Sequence, residues 1–279
     1  MSSVPLTDNH MHLDPLKGYG LAAVRKFQRS GGRRLFLVCK TTSDWEIPLR
    51  GVESFRELYQ RTIRLAREVK EKTGVTAFPV IGVHPAEVVR MCRELSVEKA
   101  TNIANKALDL AGELIVASEA TAIGEVGRPH FRVSGRVANA CEEVLRHAFE
   151  VAYDAGCALQ IHAAGGEGLF SELRSYALKA KVKPERVIKH FSSPEINAAA
   201  KAGVYPSVIA TRGNVVKAIE EGSRFMMESD YIDDLRRPGA VVGPRSVPRL
   251  SMKLLEEGVL SEEELWRIHV DNVEKAYGI

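Results

Sequence analysis

Apolar residues fall along this chain in short runs of strand length, and longer stretches of helical spacing separate them. The first run, Val4-Pro5-Leu6, reads as a strand leading directly into a polar segment. A second covers residues 35–38 after Gly31-Gly32, and a third residues 76–83 despite Pro79, which weakens a strand interior. Further strands are expected at 114–125, 156–161, 186–189, 204–209 and 225–227. Helical patterns occupy 52–72, 96–113, 134–155 and 167–181, and a short helix follows Pro194. Ser96 has Lys99, not an acid, three positions later, so that helix start lacks a capping box.

Eight strands alternating with helices, without a linker or low-complexity tract, predict one α/β unit over residues 1–279. The expected architecture is a (β/α)8 TIM barrel. A dinucleotide-binding sheet fits less well, because no Gly-x-Gly-x-x-Gly opens the first unit. Its place is taken by Asp8-Asn9-His10-Met11-His12-Leu13-Asp14.

Side chains at i and i+2 of a strand share a face, so His10 and His12 point the same way at the strand end. The motif recurs in kind. His84 ends strand three, Glu125 strand four, His162 strand five, His190 strand six and Asp230 strand eight. In a barrel these ends converge on one mouth, where catalytic residues gather. Imidazole and carboxylate donors without a thiolate suit one or two divalent ions such as Zn²⁺, Mn²⁺ or Mg²⁺. Such ions activate water for attack on a phosphoryl or carbonyl centre, and Asp230 is placed to accept its proton.

In order and context, these motifs resemble the TatD-type metal-dependent deoxyribonucleases of the amidohydrolase superfamily. The matching segments are Gly82-Val83-His84-Pro85, Ala122-Ile123-Gly124-Glu125-Val126-Gly127, Gln160-Ile161-His162-Ala163, His190-Phe191-Ser192, Glu228-Ser229-Asp230 and the C-terminal Asn272-Val273-Glu274-Lys275-Ala276-Tyr277-Gly278. The resemblance implies that His10, His12, Glu125 and Asp230 serve one ion. Glu125 would bridge to a second ion held by His162 and His190, with His84 in the mouth near substrate phosphate. Departures concentrate in the substrate loops. Arg128-Pro129 stands where the family has Leu-Asp, no small residue separates His190 from Phe191, and Ser229-Asp230-Tyr231 replaces Thr-Asp-(Ser/Ala)-Pro. The later Arg-Asn-x-Pro of the family is replaced by Pro244-Arg245-Ser246-Val247-Pro248.

Arg128, Arg212 and Arg245 follow strands four, seven and eight, where guanidinium groups would hold a substrate phosphate. Arg236-Arg237 reads as a solvated face, Met226-Met227 as core, and Tyr231 as pocket lining or packing. His130, His147 and His269 read as structural.

Composition mainly excludes. A net charge of +3 and a pI near 8.6 permit an anionic substrate but supply no basic stripe for duplex binding. No apolar run approaches the ~20 residues of a membrane span and no leader precedes Asp8, so a cytoplasmic protein is expected. Cys39, Cys92, Cys141 and Cys157 are widely spaced and read as buried free thiols. The expected activity is a metal-dependent phosphodiesterase or deoxyribonuclease acting on a nucleic-acid end. The alternative is an amidohydrolase-type enzyme for a small lactone, amide or phosphoester. A non-catalytic metal-binding scaffold would have lost a ligand or Asp230, and both are retained.

Overall fold

The computed structural model describes residues 4–279. Its strands are β1 (Leu6–His12), β2 (Gly32–Val38), β3 (Thr76–Ile81), β4 (Ala122–Gly127), β5 (Ala158–His162), β6 (Val187–Ser192), β7 (Tyr205–Ile209), β8 (Met226–Glu228) and β9 (Tyr231–Ile232). Helices follow most strands: α1 (Leu21–Arg29), α2 (Val52–Thr73), α3 (Pro85–Glu94), α4 (Val97–Val116), α5 (Gly135–Ala155), α6 (Leu169–Lys179), α7 (Asn197–Ala202) and α8 (Arg212–Glu221). The C-terminal part adds α9 (Ser246–Glu256), α10 (Glu262–Trp266), a π-helical turn at Arg267–Asp271 and α11 (Asn272–Tyr277).

All strand pairs are parallel, in the order β8-β7-β6-β5-β4-β3-β2-β1-β9. Only Ser229 and Asp230 separate β8 from β9. The run 226–232 therefore lies against β7 at its start, Ser207 opposite Met226, and against β1 at its end, Met11 opposite Tyr231. Asp230 N–H donates to His10 O at 3.0 Å between those two ladders. The sheet is curled, and helices cover its outer face.

Inside the curl, side chains are layered by the two-residue period of strands. The lowest layer is apolar: Phe36, Val80, Ala122, Ala158, Ile188, Tyr205 and Met226, contributed by β2 through β8. Val273, Ala276 and Tyr277 of α11 seal it, with the Tyr277 and Phe36 rings stacked at 3.8 Å. Two residues further along β5 and β8 stand Gln160 and Glu228, and beyond Gln160 comes His162. β5 thus turns from apolar to polar to imidazole along its length, and β8 from apolar to carboxylate.

Some element bounds differ from the expected ones. β1 extends through the histidine motif itself, and all seven of its residues are buried. Residues 114–116 belong to α4, not to β4: Ile115 packs in the outer core while Val116 is 67% exposed, a helical alternation of faces. The Ser96 hydroxyl does cap that helix, accepting from Lys99 N–H at 3.2 Å, although no capping box forms. Pro79 is tolerated in β3 because its missing N–H faces β4, where the ladder begins only at Val80. Cys39, Cys141 and Cys157 are buried and unpaired, whereas Cys92 is half-buried. Among the described residues no helix is long and apolar enough to cross a membrane.

His269 ties the base of the sheet together. Its Nδ1 meets Thr7 N–H at 3.1 Å and its Nε2 meets Ser251 Oγ at 2.8 Å, linking β1, α9 and the π-helical turn. Burial pushes its pKa down to about 4, and Arg34 nearby adds to that. The unfolded chain therefore binds a proton that the folded chain refuses between about pH 6.5 and 4. Stability from this group is full above that window and declines as pH falls through it, by about 3 kcal/mol in all. Urea unfolding midpoints are expected to drop from pH 7 to pH 5, and to drop less in His269→Gln. Equal slopes in the two proteins would remove His269 as the cause.

Candidate metal centre

Glu125 sits 4% exposed at the centre of four imidazoles, and its two oxygens face different pairs. Oε2 lies 3.3 Å from Nε2 of both His10 and His12. Oε1 lies 2.6 Å from His162 Nδ1 and 2.9 Å from His190 Nε2. Within the pairs, the facing nitrogens are 3.1 Å apart for His10 and His12 and 3.2 Å for His162 and His190. Asp230 Oδ1 stands 3.7 Å from both nitrogens of the first pair. Nitrogens held ~2.0–2.1 Å from one zinc ion at tetrahedral angles are about 3.3 Å apart, so the spacing of each pair suits a shared cation.

The outer ring nitrogens decide which lone pairs face inward. His10 Nδ1 is 2.7 Å from Gln160 Oε1, and that amide is oriented because its nitrogen donates to Asn9 O at 2.9 Å. His12 Nδ1 is 3.1 Å from Val38 O, and His190 Nδ1 is 3.3 Å from Glu228 Oε1. Each partner accepts only, so each Nδ1 carries a proton, and in the neutral ring that leaves the Nε2 lone pair facing the centre. Such outer contacts orient metal-ligating imidazoles and raise their basicity.

Electrostatics point the same way. Burial opposes ionisation of Glu125, yet His190, His84 and His10 hold its carboxyl well below the usual range. Burial opposes charging of His190, but Glu125 and Glu228 push its pKa up to about 10. Asp230 is raised, chiefly by burial. Asp8, beneath the site, is pushed up to about 7 by burial, with hydrogen bonds from Ser229 working against it. Asp8 Oδ2 and Glu228 Oε2 are buried without partners. Buried carboxylates thus outnumber fixed positive charges here, and the cluster favours cationic occupants. Burial pushes the neighbouring Cys39 thiol up to about 12, so it stays protonated.

His84 differs from these four. It caps α3, its Nδ1 accepting from Ala86 N–H at 3.0 Å, so its proton resides on Nε2. Nε2 is 3.6 Å from Glu125 Oε1 and is a donor toward the mouth. Burial pushes its pKa down to about 4, which keeps the ring neutral.

The mouth is a cavity of about 750 Å³ lined by His12, His84, Glu125, His162, His190 and Asp230 together with Lys40, Arg90, His130 and Arg237. Arg128, Arg212 and Arg245 are not among its lining residues. Arg128 is committed to Glu142, Glu172 and Tyr176. Arg212 pairs with Glu257, and Arg245 is exposed at the start of α9. Tyr231 donates its hydroxyl to Asp233, and its neighbour Ile232 lines the cavity. His147 lies on α5 against Asp109 and Glu150, away from the mouth. Arg237, expected on a solvated face, does line the cavity, as do Lys40 and Arg90, which the sequence reading does not single out. Lys40 lies just past the end of β2, the kind of position that supplies the other mouth residues, whereas Arg90 lies in a helix and carries no comparable signal.

Relatives share this architecture. An uncharacterized protein of Methanocaldococcus jannaschii is 38% identical over 280 residues, covering 99% of this chain and 97% of its own length. Among solved structures, the TatD homologue YjjV of Escherichia coli superposes with a TM-score of 0.66 at 15% identity, covering 99% of each chain. The TatD-like protein of Archaeoglobus fulgidus gives 0.65 at 16% identity, over 98% of this chain and 100% of its own. The organophosphorus hydrolase of Deinococcus radiodurans gives 0.66 at 14% identity, over 99% of this chain and 93% of its own. At these identities the structural likeness establishes fold. Family membership and the converging donor set together support a metal-dependent hydrolase. A profile described as TatD related DNase matches residues 7–278, and this chain belongs to that family.

Proposed function

We propose that this protein is a closed (β/α)8 barrel that hydrolyses phosphodiester bonds at a nucleic-acid end, using two divalent ions in its mouth. The observation that carries the reading is Glu125, whose separate oxygens address separate imidazole pairs. Barrel closure is supported by the Asp230-to-His10 backbone bond and the β9–β1 ladder. Bound there, divalent ions supply a lowered water pKa and neutralise charge on the scissile phosphate.

The protein's own groups do the rest. His10, His12, His162, His190 and Glu125 would hold the ions, with Asp230 beside the first pair. Asp230, 8% exposed at the cavity wall, accepts the proton of the attacking water. His84 donates from Nε2–H to a phosphate or leaving oxygen. Lys40, Arg90 and Arg237 bring positive charge to the β2, α3 and post-β9 side of the cavity, so the phosphate chain would run that way.

A second reading is a small lactone, amide or phosphoester substrate. It is favoured by the fact that the cavity cations already have carboxylate partners: Lys40 with Asp14 at 2.9 Å, Arg90 with Glu87 at 2.7 Å, and Arg237 with Asp234 at 3.3 Å.

Replacing Asp230 by Asn removes a proton acceptor while leaving an oxygen donor. Turnover is expected to fall about 10²–10⁴-fold in metal-loaded protein, with at least partial metal retention. Near-wild-type kcat would rule out the assigned role. Substrate class is decided by hydrolysis of a labelled single-stranded oligonucleotide against lactone and phosphodiester panels, with each metal in turn. On the nucleic-acid reading, oligonucleotide affinity falls as salt rises, and Lys40→Ala or Arg90→Ala weakens binding. Efficient salt-independent lactone turnover without oligonucleotide cleavage would overturn it in favour of the small-substrate reading.

A further inference from the structure

We infer that His130 is a positioning residue that fixes which nitrogen His162 presents to a metal ion. The inference rests on the metal centre proposed above and concerns one ligand of it.

Three of the four central imidazoles have an outer nitrogen held by an amide oxygen, a backbone carbonyl or a carboxylate. All three turn Nε2 inward. His162 is inverted, with Nδ1 toward Glu125 Oε1 and His190 Nε2. Its outer nitrogen is therefore Nε2, and the partner there is His130 Nδ1 at 3.0 Å. A neutral imidazole carries one ring proton. To present a bare Nδ1, His162 must carry that proton on Nε2, and His130 Nδ1 accepts it when the His130 proton is on Nε2. Without an acceptor at this point the ring is free to flip or exchange tautomers.

The segment carrying His130 is pinned in place from two sides. Gly127 has φ +147°, and a Cβ there would fall 1.9 Å from His162 O, so only glycine lets the chain pass this close to β5. Arg128 N–H then donates to that same His162 O at 2.8 Å. The Arg128 side chain reaches the other way. It meets Glu142 of α5 at 2.7 Å and forks onto Glu172 of α6 at 2.8 and 2.7 Å. A bidentate guanidinium–carboxylate pair fixes direction as well as distance. Pro129 restricts the next φ. Arg128-Pro129, the departure from the Leu-Asp of the family, thus anchors the loop that delivers His130 to His162.

The test is metal affinity. Metal-free protein is titrated with Zn²⁺ against a chromophoric chelator, comparing wild type, His130→Ala and His130→Asp. His130→Ala is expected to weaken one ion about 10–100-fold and leave the other close to wild type. His130→Asp, which restores an acceptor, recovers most of the loss. The visible spectrum of Co²⁺-loaded His130→Ala should lose the contribution of one site only. A readout without substitution is the ¹⁵N shifts of the zinc-loaded wild type, with Nδ1 of His162 metal-bound and Nε2 protonated. Unchanged affinity for both ions in His130→Ala, or a His162 bound through Nε2, would overturn the inference. A wild type that binds no ion at this centre would instead overturn the metal reading beneath it.

Discussion

A carboxylate buried among strands must be matched by positive charge or by donors, because taking an isolated ion out of water costs several kcal/mol even after relaxation. Glu125 is that carboxylate, and the architecture around it is arranged to satisfy it. Four imidazoles surround its oxygens, and three of them hold Nδ1–H on an outer acceptor, so that in the neutral ring a lone pair faces the centre. That orientation leaves the carboxylate well placed to share cations, be they protons on the rings or metal ions. The rise of the His190 pKa to about 10 expresses the same demand, since a proton on that ring stands in for missing positive charge.

The layers below exist to make this demand affordable to the fold. An apolar floor sealed by α11 excludes water, and above it Gln160, Asn9, Ser207 and Tyr277 form a closed polar layer. Gln160 donates to Asn9 O at 2.9 Å and to the Tyr277 hydroxyl at 2.6 Å, and Asn9 donates to Ser207 at 2.9 Å. His10 is held by this layer through Gln160, so the rotamer of a central ligand is set by residues from β5, β7 and the C-terminal helix. A buried polar network of this kind holds geometry only when its members are satisfied together. Function at the mouth therefore depends on packing at the base.

Much of the parallel sheet and the strand-end placement of His10, His12, His84, Glu125, His162, His190 and Asp230 were legible in the chain, because a two-residue period and a shared strand end are local properties. Other features are not local. Residues 114–116 are apolar enough for a strand, but the preceding helix continues through them and buries Ile115. β9 is two residues long and exists only because β1 is there to pair with it. Arg128 sits where a phosphate clamp is expected, yet α5 and α6 offer it two carboxylates, and a fixed fork takes the better geometry. His130 lies in the loop beyond the end of β4, so its meeting with His162 depends on how that loop crosses β5, which no spacing rule encodes.

The claim on which the account turns is that Glu125 lies between two cations. Anomalous diffraction from crystals of metal-replete protein, recorded on both sides of the zinc or manganese absorption edge, tests it directly. Two anomalous peaks are expected at the mouth, one beside His10 and His12 and one beside His162 and His190, with a Glu125 oxygen reaching each. An empty mouth in metal-replete crystals, or ions bound only at other sites, would contradict it.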